Sequence, residues 1–342
     1  MRKKALVIIL GLAMFFPIEF LCVSLAKSYK SIQISYFMSI FASPEGANVP
    51  ARLQYDLSII KNKTSDIVFL GDSRTKYFVN SSLIADKLKM TVLNAGLPAF
   101  YFFYWPVTYS SVLASGHYPR AIIFSIEHFF LFGGQNNNDM VSHELLSSGD
   151  YSSINGLRFM FEAYRKNLIS FNILMQYASH TVKSYLDVRY IAVYLNGVFK
   201  YKLQAESDLK CVNSGIEVNC NNNDGYFLSN ITKDDGKLAV KSDDFTIAKI
   251  NPLTEFFFMK MINEAHRKNI ATYVIIPPLY HNKILINTEY LSSRLGSTII
   301  DMSSSYLIKE SSVWIGDTSH LNKKGRDLYS EDIAAELQKH LH

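Results

Sequence analysis

Apolar runs of five or six residues recur along the chain. Each ends at a glycine or a polar residue, and an amphipathic stretch follows. DIVFLGDS (66–73) reads as a strand running into a loop, and VNSSLIADKLK (79–89) as a helix capped by Asn80 or Ser81. TVLNAG (91–96) is a second strand that ends in glycine. The stretch 100–116 carries helical segments broken near Pro106. PRAIIFSIEHFFLF (119–132) is a third strand, so continuously apolar that both of its faces are expected to be buried.

From about 133 to 244 the rhythm loosens into Asn- and Ser-rich stretches, with helical runs such as 157–178, and this part reads as an insertion or lid. Alternation then resumes. It predicts a helix over 251–269, a strand at 271–280, a helix at 287–296, a strand at 297–304 and a final helix over 323–341. Strands alternating with helices predict an α/β domain: a doubly wound parallel sheet with helices on both faces. The expected organisation is an N-terminal apolar segment (1–27), a juxtamembrane stalk (28–65) and one α/β domain (66–342) interrupted by the insertion.

Residues 5–26 are apolar enough to span a bilayer, and Arg2, Lys3 and Lys4 would hold their start in the cytoplasm. Ser24-Leu25-Ala26 also resembles a signal-peptide cleavage site. Either way the domain is expected outside the cytoplasmic membrane. In such a compartment Cys211 and Cys220, which flank an eight-residue polar loop, are expected to form a disulfide, the alternative being two unpaired thiols. The formal charge of +5 is dispersed and no basic run occurs, which argues against a nucleic-acid partner. The nine histidines show no ligand-like spacing with cysteines or carboxylates, so neither a metal nor another cofactor is expected.

In doubly wound sheets chemistry collects at the carboxyl ends of the strands. Four groups fall there: Ser73 after the first strand, Gly96 after the second, Glu127 and His128 near the end of the third, and Asp317 and His320 before the last helix. A serine at a strand-to-helix turn has outward-pointing N–H groups around it and suits a nucleophile. Asp317, three residues before His320, is placed to hold the ring tautomer while the other ring nitrogen takes the serine proton. Taken singly, Asp317 also suits the cap of the final helix, and His320 a surface position.

With these blocks the chain resembles the SGNH (GDSL-like) hydrolase superfamily. Gly71-Asp72-Ser73 is similar to its first block, Asn94-Ala95-Gly96 to its second and Asp317-Thr318-Ser319-His320 to its last. The resemblance implies a flavodoxin-like fold, Ser73 as nucleophile, His320 as base, Asp317 as its orienter, and the N–H groups of Ser73 and Gly96 as oxyanion donors. The family's third block offers an asparagine side chain to the oxyanion. Here Ser125-Ile126-Glu127-His128 stands in its place, so another group substitutes or the site has diverged.

Together with an anchor, the resemblance implies a membrane-attached esterase or O-acyltransferase of the bacterial envelope. Its substrate would be an acylated glycan or acyl donor, and its partner a polytopic membrane-bound O-acyltransferase. The alternative is a non-catalytic scaffold or glycan-binding partner of such an enzyme. Arg74, Glu127 and His128 are candidate substrate contacts, Arg74 being equally suited to a surface salt bridge and the other two to strand-end structural roles. Residues Phe100 to Trp105 read as a sugar platform or as a helix face buried in the core.

Overall fold

The computed structural model describes residues 60, 63–96, 105–114, 116–127, 137–138, 154–185, 245–247, 249–279, 284–303, 305, 311–314 and 320–341. Five parallel strands form the main sheet: β1 (Ile67–Gly71), β2 (Val92–Gly96), β3 (Ala121–Ser125), β5 (Ala271–Ile276) and β7 (Thr298–Asp301), in the order β2-β1-β3-β5-β7. β4 (Phe245–Ile247) and β6 (Ile284–Ile286) pair in a separate two-stranded parallel sheet that the residue pattern did not announce. The described helices are α1 (Ser73–Phe78), α2 (Ser81–Leu88), α3 (Trp105–Leu113), α4 (Ile154–Arg165), α5 (Phe171–Tyr185), α6 (Pro252–Arg267), α7 (Thr288–Leu295) and α8 (Lys323–Gln338).

The all-apolar strands make sense because both faces of the sheet are covered. Successive residues of β1 point to opposite sides. Val68 and Leu70 join Phe124, Ile126, Val274 and Ile276 under α3, α4, α5, α6 and α7. Ile67 and Phe69 join Ile123, Tyr273 and Ile275 under α1, α2 and α8, which contribute Phe78, Ile84, Tyr329, Ile333 and Leu337. Each fully buried large side chain contributes about 1.5–3 kcal/mol. A one-residue slip of β1 would exchange its two faces, so packing on both sides sets the register.

Asparagines end the preceding loops cleanly. Asn80, Asn251, Asn287 and Asn322 each cap a helix by accepting a backbone N–H from its first turn, at about 1 kcal/mol apiece. Pro106, expected to break its helix, instead lies in the first turn of α3, where no intrahelical N–H is needed. Trp105 beside it is a core residue: its indole stacks on Phe124 and meets Phe258 edge-on, and it is not presented as a sugar platform.

The described part of 133–244 is more than a lid. α4 and α5 pack Phe159, Met160, Ala163, Ile173 and Tyr177 into the core beneath α6. The helical run 157–178 divides into two helices at Asn167, which sits at φ 55°. Cys211, Cys220, the stalk 28–59 and residues 5–26 lie outside the described residues. Among the described residues no helix is long and apolar enough to cross a membrane.

Candidate functional site

Ser73 is the first residue of α1, directly after β1 and its cap Asp72. Asp72 accepts the Arg74 N–H at 2.9 Å and closes the turn. The turn is packed so closely that two positions admit only glycine. A Cβ on Gly71 would lie 1.9 Å from Thr75 Oγ1 and 2.8 Å from the Ser125 carbonyl oxygen. A Cβ on Gly96 would lie 2.4 Å from the Lys76 nitrogen. The glycines of the first two blocks therefore let α1 sit down on the ends of β1, β2 and β3.

Asn94 holds α1 from the other end. Its Nδ2 donates to the carbonyls of Thr75, Lys76 and Val79 at 3.0, 3.2 and 2.9 Å, satisfying the last turn of a six-residue helix. Its Oδ1 accepts the Gly96 N–H at 3.0 Å. Asn94 is thus a clamp on the helix that carries Ser73. The Gly96 N–H is engaged in that clamp and would have to exchange acceptors to meet an oxyanion. The Ser73 N–H opens the helix, where no intrahelical carbonyl can reach it.

His320 reaches Ser73 from the far end of the chain, with Nε2 3.1 Å from Oγ. Two sets of contacts hold it there. Trp314 and Leu321 form an antiparallel bridge, and Asn322 donates its N–H to the Val313 carbonyl at 2.9 Å, which fixes the backbone directly after His320. Asn322 also caps α8 through Gly325 N and bonds the Ser312 carbonyl. The cap of the final helix is thus Asn322, which corrects the alternative that Asp317 plays that part. Farther along α8, Ser330 Oγ accepts the Asn80 N–H at 2.8 Å and faces the Phe78 carbonyl at 3.2 Å, tying α8 to the end of α1. Tyr77 stacks edge-on against the imidazole. Asp317 and His128 lie outside the described residues.

Below Ser73 is a buried charged cluster. Arg74 Nε lies 3.2 Å from Glu127 Oε1, and both residues are only 7 % exposed. The surface salt bridge considered for Arg74 is therefore an interior one, and the two side chains are turned to each other. Glu127 also lies close enough to Asp72 for the two carboxyls to act on each other. Burial, and then the Asp72 charge, push the Glu127 carboxyl well above the usual range, against the pull of Arg74. The Tyr329 phenol is pushed up chiefly by its burial. Its hydroxyl makes no hydrogen bond of normal geometry, although the Ser125 side chain favours its ionised form.

Of the residues singled out in the sequence, the structure brings together Ser73, Gly96, Arg74, Glu127 and His320. Sequence reasoning missed Tyr77 and Tyr329 and gave Asn94 only as a motif letter. Tyr77 could have been found from its spacing, one helical turn past Ser73. Among the described residues, no three His, Cys, Asp or Glu side chains are grouped to hold a metal. Comparison with protein-family models, with curated proteins and with solved structures finds no match.

Proposed function

We propose that the chain is a serine-dependent acyl-transfer enzyme. The observation that carries the reading is the Ser73 Oγ to His320 Nε2 distance of 3.1 Å at the carboxyl end of a parallel sheet. The strand order, one step from β1 to the edge strand β2 and then outward on the other side through β3, β5 and β7, matches the flavodoxin-like doubly wound order and supports the SGNH-like reading.

In the proposed reaction His320 Nε2 takes the Ser73 proton as Oγ bonds to the carbonyl carbon of an ester. The oxyanion faces the Ser73 N–H at the start of α1. Collapse breaks the ester C–O bond, the imidazolium returns its proton to the leaving alkoxide, and an acyl-serine remains. Water or a sugar hydroxyl then gives its proton to His320 as its oxygen bonds to the acyl carbon; the Ser73 Oγ–acyl bond breaks, and the imidazolium returns the proton to Oγ. Hydrolysis and transfer share the first half. The expected N-terminal anchor favours an envelope glycan as acceptor and a polytopic O-acyltransferase as partner, with the domain outside the cytoplasmic membrane. Asp317 is proposed as the carboxylate that orients His320.

The engaged Gly96 N–H and the absence of a third-block asparagine favour a second reading, a non-catalytic scaffold for such a transferase. Labelling with a fluorophosphonate separates the two. The catalytic reading expects the full-length chain to label and Ser73→Ala to stay blank; a folded wild type that stays blank across pH supports the scaffold.

A further inference from the structure

The parallel register pairs Gly71 with Ser125. Two residues beyond them stand Ser73 and Glu127, so the acid lies under the turn that carries the nucleophile. Asp72, Arg74 and Glu127 are all at least nine-tenths buried. They bring two carboxyls and one guanidinium. Arg74 engages Glu127 through Nε, while its Nη1 has no hydrogen-bond partner, so one guanidinium does not answer both acids. A buried cluster with a net negative charge is costly. Two carboxyls brought together in a buried site are more cheaply held with one proton between them than with two charges.

We propose that Glu127 is a positioning residue for Ser73: it shares one proton with Asp72 and is braced by Arg74, and loss of that proton closes the serine's reactive range on the alkaline side. The proposal rests on the reading of Ser73 as nucleophile. With the proton in place the cluster is neutral. Without it, a second negative charge stands beside the residue next to Ser73, where it opposes a developing oxyanion and competes for Arg74. The charged groups that face Glu127 are Asp72, the cap of α1, and Arg74 in its first turn; Tyr329 on α8 acts on these two and on Ser125. Burial raises the Tyr329 phenol above its ordinary value.

The test is the rate of fluorophosphonate labelling of the full-length chain against pH, for wild type and Glu127→Gln. The amide copies the neutral acid: it donates to Asp72 and cannot ionise. Wild type is expected to lose rate on the alkaline side. Glu127→Gln is expected to keep its own neutral-pH rate where wild type falls. An alkaline fall that is the same in both proteins, or absent from wild type, overturns the proposal.

Urea unfolding of the same pair reads the proton without needing a reactive serine. A carboxyl whose affinity for the proton is raised by folding contributes stability that is complete below its ordinary value of 4.5 and is lost as pH rises toward the folded value. Wild type should therefore lose stability relative to Glu127→Gln as pH rises from 4.5. Parallel curves overturn the proposal even if Ser73 labels. Diverging curves with no labelling at any pH overturn the nucleophile reading, and Glu127's service to it, but leave the shared proton standing. If Glu127→Gln does not fold, the infrared carbonyl band of a protonated carboxylic acid in wild type at neutral pH, shifted by Asp72→Asn, decides the same point, and its absence overturns the proposal.

Discussion

Tyr77 stands edge-on to His320, with 5.3 Å between ring centroids and 86° between ring planes. Tyr77 follows Ser73 by four residues, one turn of the same helix. The helix that presents Ser73 therefore also braces His320, although the two residues are 247 apart in sequence. An edge-to-face pair of this kind contributes about 0.5–1.5 kcal/mol. Tyr77→Ala is expected to slow fluorophosphonate labelling of Ser73 by about two- to tenfold, as the ring gains freedom. Tyr77→Phe keeps the ring edge and should label like wild type. Equal rates for Ala and Phe would remove Tyr77 from this role.

Asn94 predicts a stability effect larger than its place in an edge strand implies. Asn94→Ala removes a donor from three carbonyls at the end of α1, of which Thr75 O keeps the Val79 N–H, and a buried polar group left unsatisfied costs about 1–3 kcal/mol. Urea denaturation should show a loss of about 2–3 kcal/mol, since some carbonyls will find water. Asn94→Asp should be worse, because a carboxylate would face those carbonyls. A loss no larger than that of an ordinary surface substitution would mean that α1 does not depend on the clamp.

Gly96→Ala tests the close seating of α1. The new methyl would meet the Lys76 backbone, which no rotamer change relieves. Overpacking of this kind costs about 1–3 kcal/mol, and the shift needed to relieve it moves Ser73 away from His320. Stability and labelling should therefore fall together. Full labelling in a destabilised Gly96→Ala would show that the turn is less constrained than its packing implies.

Asp66 and Glu127 should respond to pH in opposite directions. The Thr91 hydroxyl and N–H, with Arg120 nearby, hold the Asp66 carboxyl below its usual value, at 2.7 Å and 2.8 Å from Thr91 Oγ1 and N. A carboxyl lowered by folding adds stability above its ordinary value of 3.8, and that stability disappears as pH falls through the folded value. Asp66→Asn should flatten the loss of stability on acidification while leaving the alkaline side unchanged. An unchanged acid limb would show that the Thr91 clamp does not discriminate between the two protonation states.

Much of this arrangement was legible because period-2 and period-3.6 patterns are local. β1, β2, β3 and β7 fall where their apolar runs lie, and Asn80 caps α2 as its position before the helix implies. Ser73 and His320 could be paired because each follows a recognisable break in pattern. What stayed hidden depends on distant contacts. Arg74 and Glu127 look like surface charges until the register of β1 with β3 places one above the other. Asn322 outcompetes Asp317 as cap because the Trp314–Leu321 bridge sets where α8 begins. β4 and β6 have three residues each, and only their pairing makes them strands.

The most direct measurement is mass spectrometry of the acyl-enzyme. The full-length chain is mixed with an activated acetyl ester, quenched in acid, digested and mapped. The account predicts an acetyl group on Ser73 in wild type, none at that position in Ser73→Ala, and at least about a hundredfold slower acetylation in His320→Ala. A folded wild type with no acetyl on Ser73 at any pH, or acetylation as fast without the imidazole, would contradict it.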